Sequence, residues 1–357
     1  MTLYDICYVY PQKPVSFRYV ARMNIRLFRD AGLTVKEYSE EDFRSKKLSF
    51  TDCKVVFIHP LIYNIDYVDR HTYSSARVWG FDVGESIPFG GLQKVVARLN
   101  DSLIEGVIVP TRWSKFVWIQ AGFEKTVIVF RHYLTREWHP FRTHTPTDGI
   151  VRWMVDCKRR EGWRAILYQL PHSGYRKGAP EMLEALEFLV RWGIVPKKTK
   201  LVVKKVEIDD RFLGVFYTYW TFLVGHRLDT QNYIALIDNV DICVVPSRCG
   251  GFELNALECI MRGTPTIAPT TTCFSEYSHL ITVHVTSQPH FISYSDVWDG
   301  VCYRVDPFDL ALKIRMVLED YNYYRDIAER RKWEAWYEFG WEKGVEEATK
   351  LYARIST

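Results

Sequence analysis

Short runs of apolar, β-branched and aromatic residues alternate along this chain with longer stretches whose apolar positions recur every three or four residues. That alternation predicts strands and helices in turn, and hence parallel sheets covered by helices on both faces. Residues 3–10, an apolar run ending at Pro11, predict a buried first strand. Residues 17–30 carry helical spacing and stop at Ala31-Gly32, where a glycine supplies the left-handed turn that closes helices. Residues 34–38, 54–59, 78–83, 106–110 and 126–131 are further strand candidates. A helix is expected from near Trp113, capped by the Thr111 hydroxyl.

Around residues 142–162 the pattern dissolves into Thr, Pro, Asp, Gly and charge, apart from an apolar patch at 150–155, and a domain linker is expected there. The alternation then resumes with a strand at 165–169 and a helix at 179–192 that lines up Leu183, Leu186, Leu189 and Val190. A strand at 201–206 and a short helix around 233–237 follow. The run 241–246 (DICVVP) is apolar throughout, as expected of a strand covered on both faces. A strand at 264–269 and helices from 307 to 355 complete the second half. No repeat at solenoid periods is present, so two Rossmann-like halves fit the pattern best.

Composition narrows the class without naming a function. The 357 residues are 47% hydrophobic and 25% charged, ordinary for a folded chain of roughly two domains. The 47 basic and 43 acidic residues are too balanced to demand a nucleic-acid partner. The opening MTLYDICYVYPQKP lacks the charge, apolar core and cleavage site of a secretory leader. No stretch reaches the roughly 18–20 apolar residues of a membrane span. Eight cysteines lie far apart, without a CxxC pair or zinc-ligand spacing, which predicts reduced core thiols, no metal site and a cytoplasmic setting. Aromatic residues make up 15% of the chain, but they suit cores, sugar platforms and interfaces equally.

The densest chemistry lies at 245–269, VPSRCGGFELNALECIMRGTPTIAP. A strand enters a Gly250-Gly251 turn and a helix leaves it near Leu254. Such glycines admit a ligand close to the backbone, and the free amides at the positive end of the helix suit a diphosphate or sugar hydroxyls. Glu258 falls one helical turn deeper, placed to accept from a ribose diol. A plain strand-turn-helix with Glu258 in solvent is the competing reading.

This segment resembles the signature of the glycosyltransferase group 1 family, the family-4 retaining glycosyltransferases, which reads roughly Pro-Ser-x-x-Glu-Gly-Phe-Gly-Leu-x-x-Leu-Glu-Ala-x-x-x-Gly-x-Pro. Pro246, Ser247, Gly251, Phe252, Leu254, Leu257, Glu258, Gly263 and Pro265 fall in register with it. Arg176-Lys177-Gly178, before a predicted helix, is similar to the family's Arg-Lys-Gly turn, which implies that Lys177 meets the donor diphosphate; a solvated basic turn is the alternative. Residues 224–226 and 232–246 resemble the base-binding turn and the helix and strand after it. His226 or Arg227 would border the nucleobase, although lone histidines are more often structural. Residues 106–122 and 129–140 are similar to the family's path towards the hinge and speak for fold.

The resemblance implies an α/β protein of GT-B architecture, with two Rossmann-like domains whose parallel sheets face a central cleft. Residues 1–155 would form the acceptor domain, with 336–357 packing back on it, and 156–335 the donor domain. The implied activity moves a hexose-type sugar from a UDP- or GDP-sugar to a glycan, lipid or protein acceptor, with retention of configuration. Donor binding would fall to Arg176, Lys177, Ser247, Gly250, Gly251, Phe252, Glu253, Leu254, Asn255, Glu258 and His226, and catalysis to Asp82, Glu253 and Lys177. Asp82 and Glu85 lie at the carboxyl end of a strand, where open α/β sheets bind ligands; a loop-capping carboxylate is the competing reading for them. The nucleotide-sugar would be a co-substrate, with no cofactor and no metal.

Three departures qualify the resemblance. The first glutamate of the family's Glu-x7-Glu pair falls on Gly250, and Glu253 stands where the family has glycine, either substituting for it or blocking the sugar pocket. Leu170-Pro171-His172 occupies the place of an expected arginine, and residues 11–16 (PQKPVS) replace the usual glycine pair of the first turn. These differences motivate an alternative, a catalytically silent GT-B nucleotide-sugar-binding or scaffold protein. Arg18, Arg22, Arg26 and Arg29 form a helical stripe that either meets anionic lipid, giving a peripheral membrane contact, or is a solvated face.

Overall fold

The computed structural model describes residues 3–13, 15–170, 173–195, 199–205, 216, 221–293 and 295–357. Pro171 and His172, Pro14 and Val206 of the sequence reading lie outside the described residues. The chain divides into two compact units, Met1–Thr135 with Ile292–Val301 and Phe339–Thr357, and Arg136–Phe291 with Cys302–Glu338.

The first unit is built on a six-stranded parallel sheet. Its strands are β1 (Tyr4–Tyr10), β2 (Val35–Ser39), β3 (Cys53–Ile58), β4 (Arg77–Phe81), β6 (Gly106–Val109) and β7 (Thr126–Val129), in the order β2-β1-β3-β4-β6-β7. Ile6, Cys7, Tyr8 and Val9 are fully buried in succession, as a strand covered on both faces requires. The two-residue β5 (Ile87–Pro88) pairs antiparallel with Gly300 and Val301 of β15 (Asp299–Val305). Thr111 caps the Arg112–Gln120 helix by accepting from the Ser114 amide, as the sequence predicts.

The Val15–Asp30 helix buries Ala21, Leu27 and Phe28 and leaves Arg22, Arg26 and Arg29 exposed. Two of these arginines are engaged within the unit: Arg26 lies 5.0 Å over the Trp341 ring, and Arg29 pairs with Glu37 at 2.7 Å. The Trp341–Ile355 helix docks against the same region, its Trp341 indole donating to Asp30 at 2.8 Å. Tyr352 reaches Asp5 on β1 at 2.9 Å, where the carboxylate also accepts from Lys54 and from the amide and hydroxyl of Thr34.

The second unit repeats the plan. Strands β8 (Arg164–Leu170), β9 (Thr199–Lys205), β10 (Thr221–Val224), β11 (Ile242–Val244), β12 (Thr266–Ala268) and β13 (Val283–His284) form a parallel sheet in the order β10-β9-β8-β11-β12-β13; β14 (Ser287–Ser293) follows in sequence. The Ala179–Arg191 and Pro307–Glu319 helices close one face with Ala185, Leu186, Leu189, Leu310 and Ile314.

Two expectations are overturned. The stretch expected to be an irregular linker contains the Gly149–Glu161 helix, because Asp148 caps it through the Ile150 and Val151 amides and Gly162 ends it in the left-handed conformation. Four of the eight cysteines expected to be reduced are paired as disulfides, Cys7–Cys53 and Cys243–Cys259. The strand order explains the first, since β1 and β3 are neighbours although the cysteines lie 46 residues apart. Cys157, Cys249, Cys273 and Cys302 are free and buried. Among the described residues no helix is long and apolar enough to cross a membrane.

The Asp5 cluster makes a testable point of the first unit. Desolvation raises the Asp5 carboxyl, but the Thr34, Lys54 and Tyr352 hydrogen bonds outweigh it and hold the group below the ordinary carboxylate range. A depressed native pKa gives stability that is present above about pH 4 and lost as pH falls below it. Asp5→Asn is expected to cost about 1 kcal/mol at neutral pH and to flatten the acid limb of a urea-midpoint profile between about pH 5 and 3.

Candidate functional site

Strands β8 and β11 are neighbours, with Tyr168 opposite Val244, while β9 flanks β8 on its other side. The winding therefore changes direction at β8, and the carboxyl ends of such strands are where open α/β sheets leave a crevice. The segments that leave these two strands, 173–178 and 245–253, carry seven of the eleven donor residues expected from the sequence.

The two segments are locked together at backbone level. The Arg248 amide donates to the Arg176 carbonyl at 2.9 Å, Arg176 Nη1 donates to the Cys249 carbonyl at 3.2 Å, and Tyr168 donates to the Lys177 carbonyl at 3.1 Å. Gly178 has φ +75°, and a Cβ there would stand 2.1 Å from the Pro246 carbonyl oxygen. Only glycine fits both the conformation and the approach.

Beneath this junction Glu181 is fully buried and held by two arginines. Arg248 contacts it at 2.5 and 3.1 Å and Arg304 at 2.7 Å. The Arg248 guanidinium also stacks 3.7 Å from the Tyr175 ring, whose hydroxyl lies 3.1 Å from His290. The sequence reading missed this set. Its signal was present: Arg248 lies within the 246–265 motif, and Glu181 opens the helix after Arg176-Lys177-Gly178.

Lys177 and Glu253 meet in the same place. The ammonium stands 2.6 and 2.7 Å from the two carboxylate oxygens, with Lys177 8% and Glu253 2% exposed. Ser247 donates to Glu253 Oε1 at 2.9 Å, and Tyr277 donates to the Glu253 carbonyl at 2.8 Å. Glu253 precedes the Leu254–Met261 helix but makes no capping hydrogen bond with its side chain. Gly250 and Gly251 form the turn before it, Phe252 lies 5.5 Å from the Tyr277 ring, and Asn255 Oδ1 accepts from the Ala256 amide.

Glu258 is buried one turn along the helix, accepting from the Tyr233 hydroxyl at 2.8 Å; the same hydroxyl contacts Gln169. Burial pushes its carboxyl up to about 7, against the lowering effect of Tyr233. His226 sits apart from this group: its exposed ring lies 2.6 Å from Asp148, the cap of the Gly149–Glu161 helix.

Asp82 belongs to the first unit, at the end of β4. It is buried and accepts from the Ile62 amide at 2.7 Å and the Val83 amide at 2.8 Å. Burial raises it to about 7, the amides oppose the rise and Glu85 adds to it. Its carboxylate is thus spent on loop backbone, and the Glu85 carbonyl accepts from the Trp113 indole. Among the described residues, Cys7, Asp52 and Cys53 form a group at metal-ligand spacing, but the two sulfurs are bonded to each other.

No family profile matches the chain. It is 21% identical over 287 residues to Uncharacterized protein 356 of Sulfolobus islandicus rod-shaped virus 1, covering 76% of this chain and 75% of that one. Among solved structures it is similar to a glycosyltransferase from Rickettsia africae ESF-5, with TM-score 0.70, 13% identity and 99% of both chains covered. HepE of Anabaena in complex with UDP-glucose superposes with TM-score 0.69 at 13% identity, over 99% of this chain and 100% of that one. Sucrose-phosphate synthase from Thermosynechococcus elongatus gives 0.68 at 13% identity, over 99% of each. The fold is accordingly α/β of the GT-B type, with two parallel six-stranded sheets.

Removing one partner of a buried ion pair leaves the other charge without compensation. Glu181→Gln is expected to destabilise the protein by about 3 kcal/mol in urea denaturation. Glu184→Gln, at a half-exposed partner of Arg304, is expected to cost under about 1 kcal/mol in the same measurement.

Proposed function

We propose that this protein is a glycosyltransferase that moves a hexosyl unit from a UDP- or GDP-sugar to a hydroxyl of a glycan, lipid or protein acceptor, with retention of configuration. The observation that supports it best is the buried Lys177 ammonium beside the start of the Leu254–Met261 helix, at the carboxyl edge of the second sheet. A cation and a helix N-terminus at one point are what a diphosphate requires. The GT-B fold adds weight, and HepE, which shares it, has been seen with UDP-glucose and with UDP and glucose.

In this reading Lys177 and the helix amides meet the diphosphate, and Glu258 accepts from the ribose hydroxyls. As the bond from sugar to phosphate breaks, negative charge grows on the leaving diphosphate. Groups already fixed around it stabilise that charge without reorganising. The same groups do the work that a divalent metal does elsewhere, so donor turnover is expected to persist in a chelator. The second reading, a silent nucleotide-sugar binder, is favoured by the Lys177–Glu253 contact, which already satisfies the ammonium.

Release of UDP or GDP from their sugars by the purified protein separates the two. Transferase activity predicts measurable turnover that falls about 100-fold in Lys177→Ala and in Glu258→Ala. Equal silence of wild type and both variants, with nucleotide still bound, would establish the binder. A pH series adds a sign. Glu258 titrates near 7 and accepts hydrogen bonds best when ionised. Nucleoside diphosphate affinity should therefore rise with pH through about 7 in wild type, and Glu258→Gln should flatten the profile.

A further inference from the structure

The amino edge of the second sheet, opposite to the edge that carries Lys177, also gathers charge. Strands β8 and β11 begin there, tied by the Ala165 amide, which donates to the Asp241 carboxylate at 2.7 Å, and by the Asp241 amide, which donates to the Ala165 carbonyl at 2.9 Å. The Gly149–Glu161 and Thr230–Asn239 helices end at the same place, with Lys158 of the first donating to the Asn239 carbonyl of the second at 2.7 Å. A cavity of about 480 Å³ opens here, and Lys158, Arg159, Trp163, Arg164, Asp238 and Asn239 are among its walls. Its volume is in the range of small-molecule sites. The seven residues of β8 set it roughly 20 Å from the carboxyl edge.

The charges around this cavity do not cancel. Asp241 is buried and shared by Lys158 at 2.6 Å and Arg164 at 3.0 Å, and Asp238 is held by Arg262 at 2.7 and 2.9 Å. Arg159 has no ion-pair or hydrogen-bond partner among the described residues, so four cations in this set stand against two carboxylates. Cations in the last turn of a helix ordinarily answer its dipole, and Lys158 does this for the neighbouring helix. That role leaves the ammonium short of negative charge: burial holds Lys158 below its ordinary pKa, against the opposing effect of Asp241 and with Arg164 and Arg325 adding to the fall.

Trp163 supplies a second, independent observation. Its ring is buried, stacked 5.2 Å from Phe222 with the Lys200 ammonium 5.1 Å from its centre. Its indole N–H is buried and has no acceptor among the described residues. A buried donor without an acceptor is unfavourable, and an acceptor brought by a ligand removes that cost. Phosphate oxygens answer both observations, since they accept from ammonium, guanidinium and indole alike and bring the negative charge the set lacks. Phosphate alone would leave much of the cavity unfilled. There Asp238 and Asn239 offer oxygens to hydroxyls, because the Asn239 amide nitrogen is spent on the Ala235 carbonyl at 2.7 Å and leaves its oxygen to accept.

We propose that this cavity binds a phosphorylated polyol such as a sugar phosphate, with Lys158, Arg159, Arg164 and Trp163 around the phosphate and Asp238 and Asn239 toward the hydroxyls. The site is separate from the one that the transferase reading uses and does not depend on it.

Calorimetric titration of the whole chain with glucose 6-phosphate, inorganic phosphate and glucose, at about 0.15 M ionic strength, tests the site. Glucose 6-phosphate is expected to bind about threefold or more tighter than phosphate, and glucose to give no binding heat. Arg159→Glu, which has no partner to lose, is expected to weaken glucose 6-phosphate about tenfold or more, and Trp163→Phe about fivefold, both with a thermal midpoint close to that of wild type. Lys177→Met, at the other edge, should leave this affinity unchanged. If Arg159→Glu fails to fold, Arg159→Gln decides in its place, with an expected loss of about threefold or more. Binding that is lost in Lys177→Met and kept in Arg159→Glu would put the phosphate at the other edge and overturn the proposal. No binding of either phosphate compound to folded wild type would overturn it too, as would undiminished affinity in both cavity variants. Phosphate that binds as tightly as glucose 6-phosphate would overturn the assignment of a polyol.

Discussion

A lysine ammonium buried at the carboxyl edge of a parallel sheet is the constraint around which the second unit is arranged. Desolvating a charge costs several kcal/mol unless a partner and hydrogen bonds replace the water. Glu253 supplies the partner, Ser247 orients it, and Tyr277 fixes the backbone from which it extends. The geometry then propagates outward. Gly178 must lack a side chain because the Pro246 carbonyl passes so close, whereas a side chain at Gly250 would have to displace the Glu253 carboxylate from the space it fills. Glu181 neutralises Arg248 below, so the segments after β8 and β11 stay in register with each other.

Two other buried carboxylates show how burial alone does not define a role. Asp82 and Glu258 are both pushed up to about 7 by desolvation. Asp82 accepts from the Ile62 and Val83 amides of the neighbouring loops, the partners expected of a loop-capping carboxylate. Among the described residues Glu258 accepts from a single hydroxyl, that of Tyr233, which leaves acceptor capacity one turn into the helix. The difference is one of partners, which a sequence does not display.

Most strands were legible because the apolar runs are short and end at glycine, proline or charge. The strand read at 3–10 is Tyr4–Tyr10 in the structure, and the helix read at 179–192 is Ala179–Arg191. What escaped was local or relational. The Gly149–Glu161 helix is rich in arginine and lysine and reads as linker, yet Asp148, itself held by Asn232, starts it firmly. The Gly91–Asn100 helix lacks a side-chain cap and left no signal before it. The disulfide between Cys7 and Cys53 depends on strand order, and the Glu181–Arg248–Arg304 cluster on approach between segments distant in sequence. Motif positions were found, but their partners were not: the sequence left open whether Glu253 substitutes or blocks, and it gave no hint that Lys177 would be its counter-ion.

The central claim, that Lys177 anchors a diphosphate, is tested most directly by calorimetric titration of wild type and Lys177→Met with UMP and UDP. The account predicts that wild type binds UDP about tenfold or more tighter than UMP, and that Lys177→Met erases most of that difference while remaining folded. An undiminished preference for UDP in Lys177→Met would contradict it.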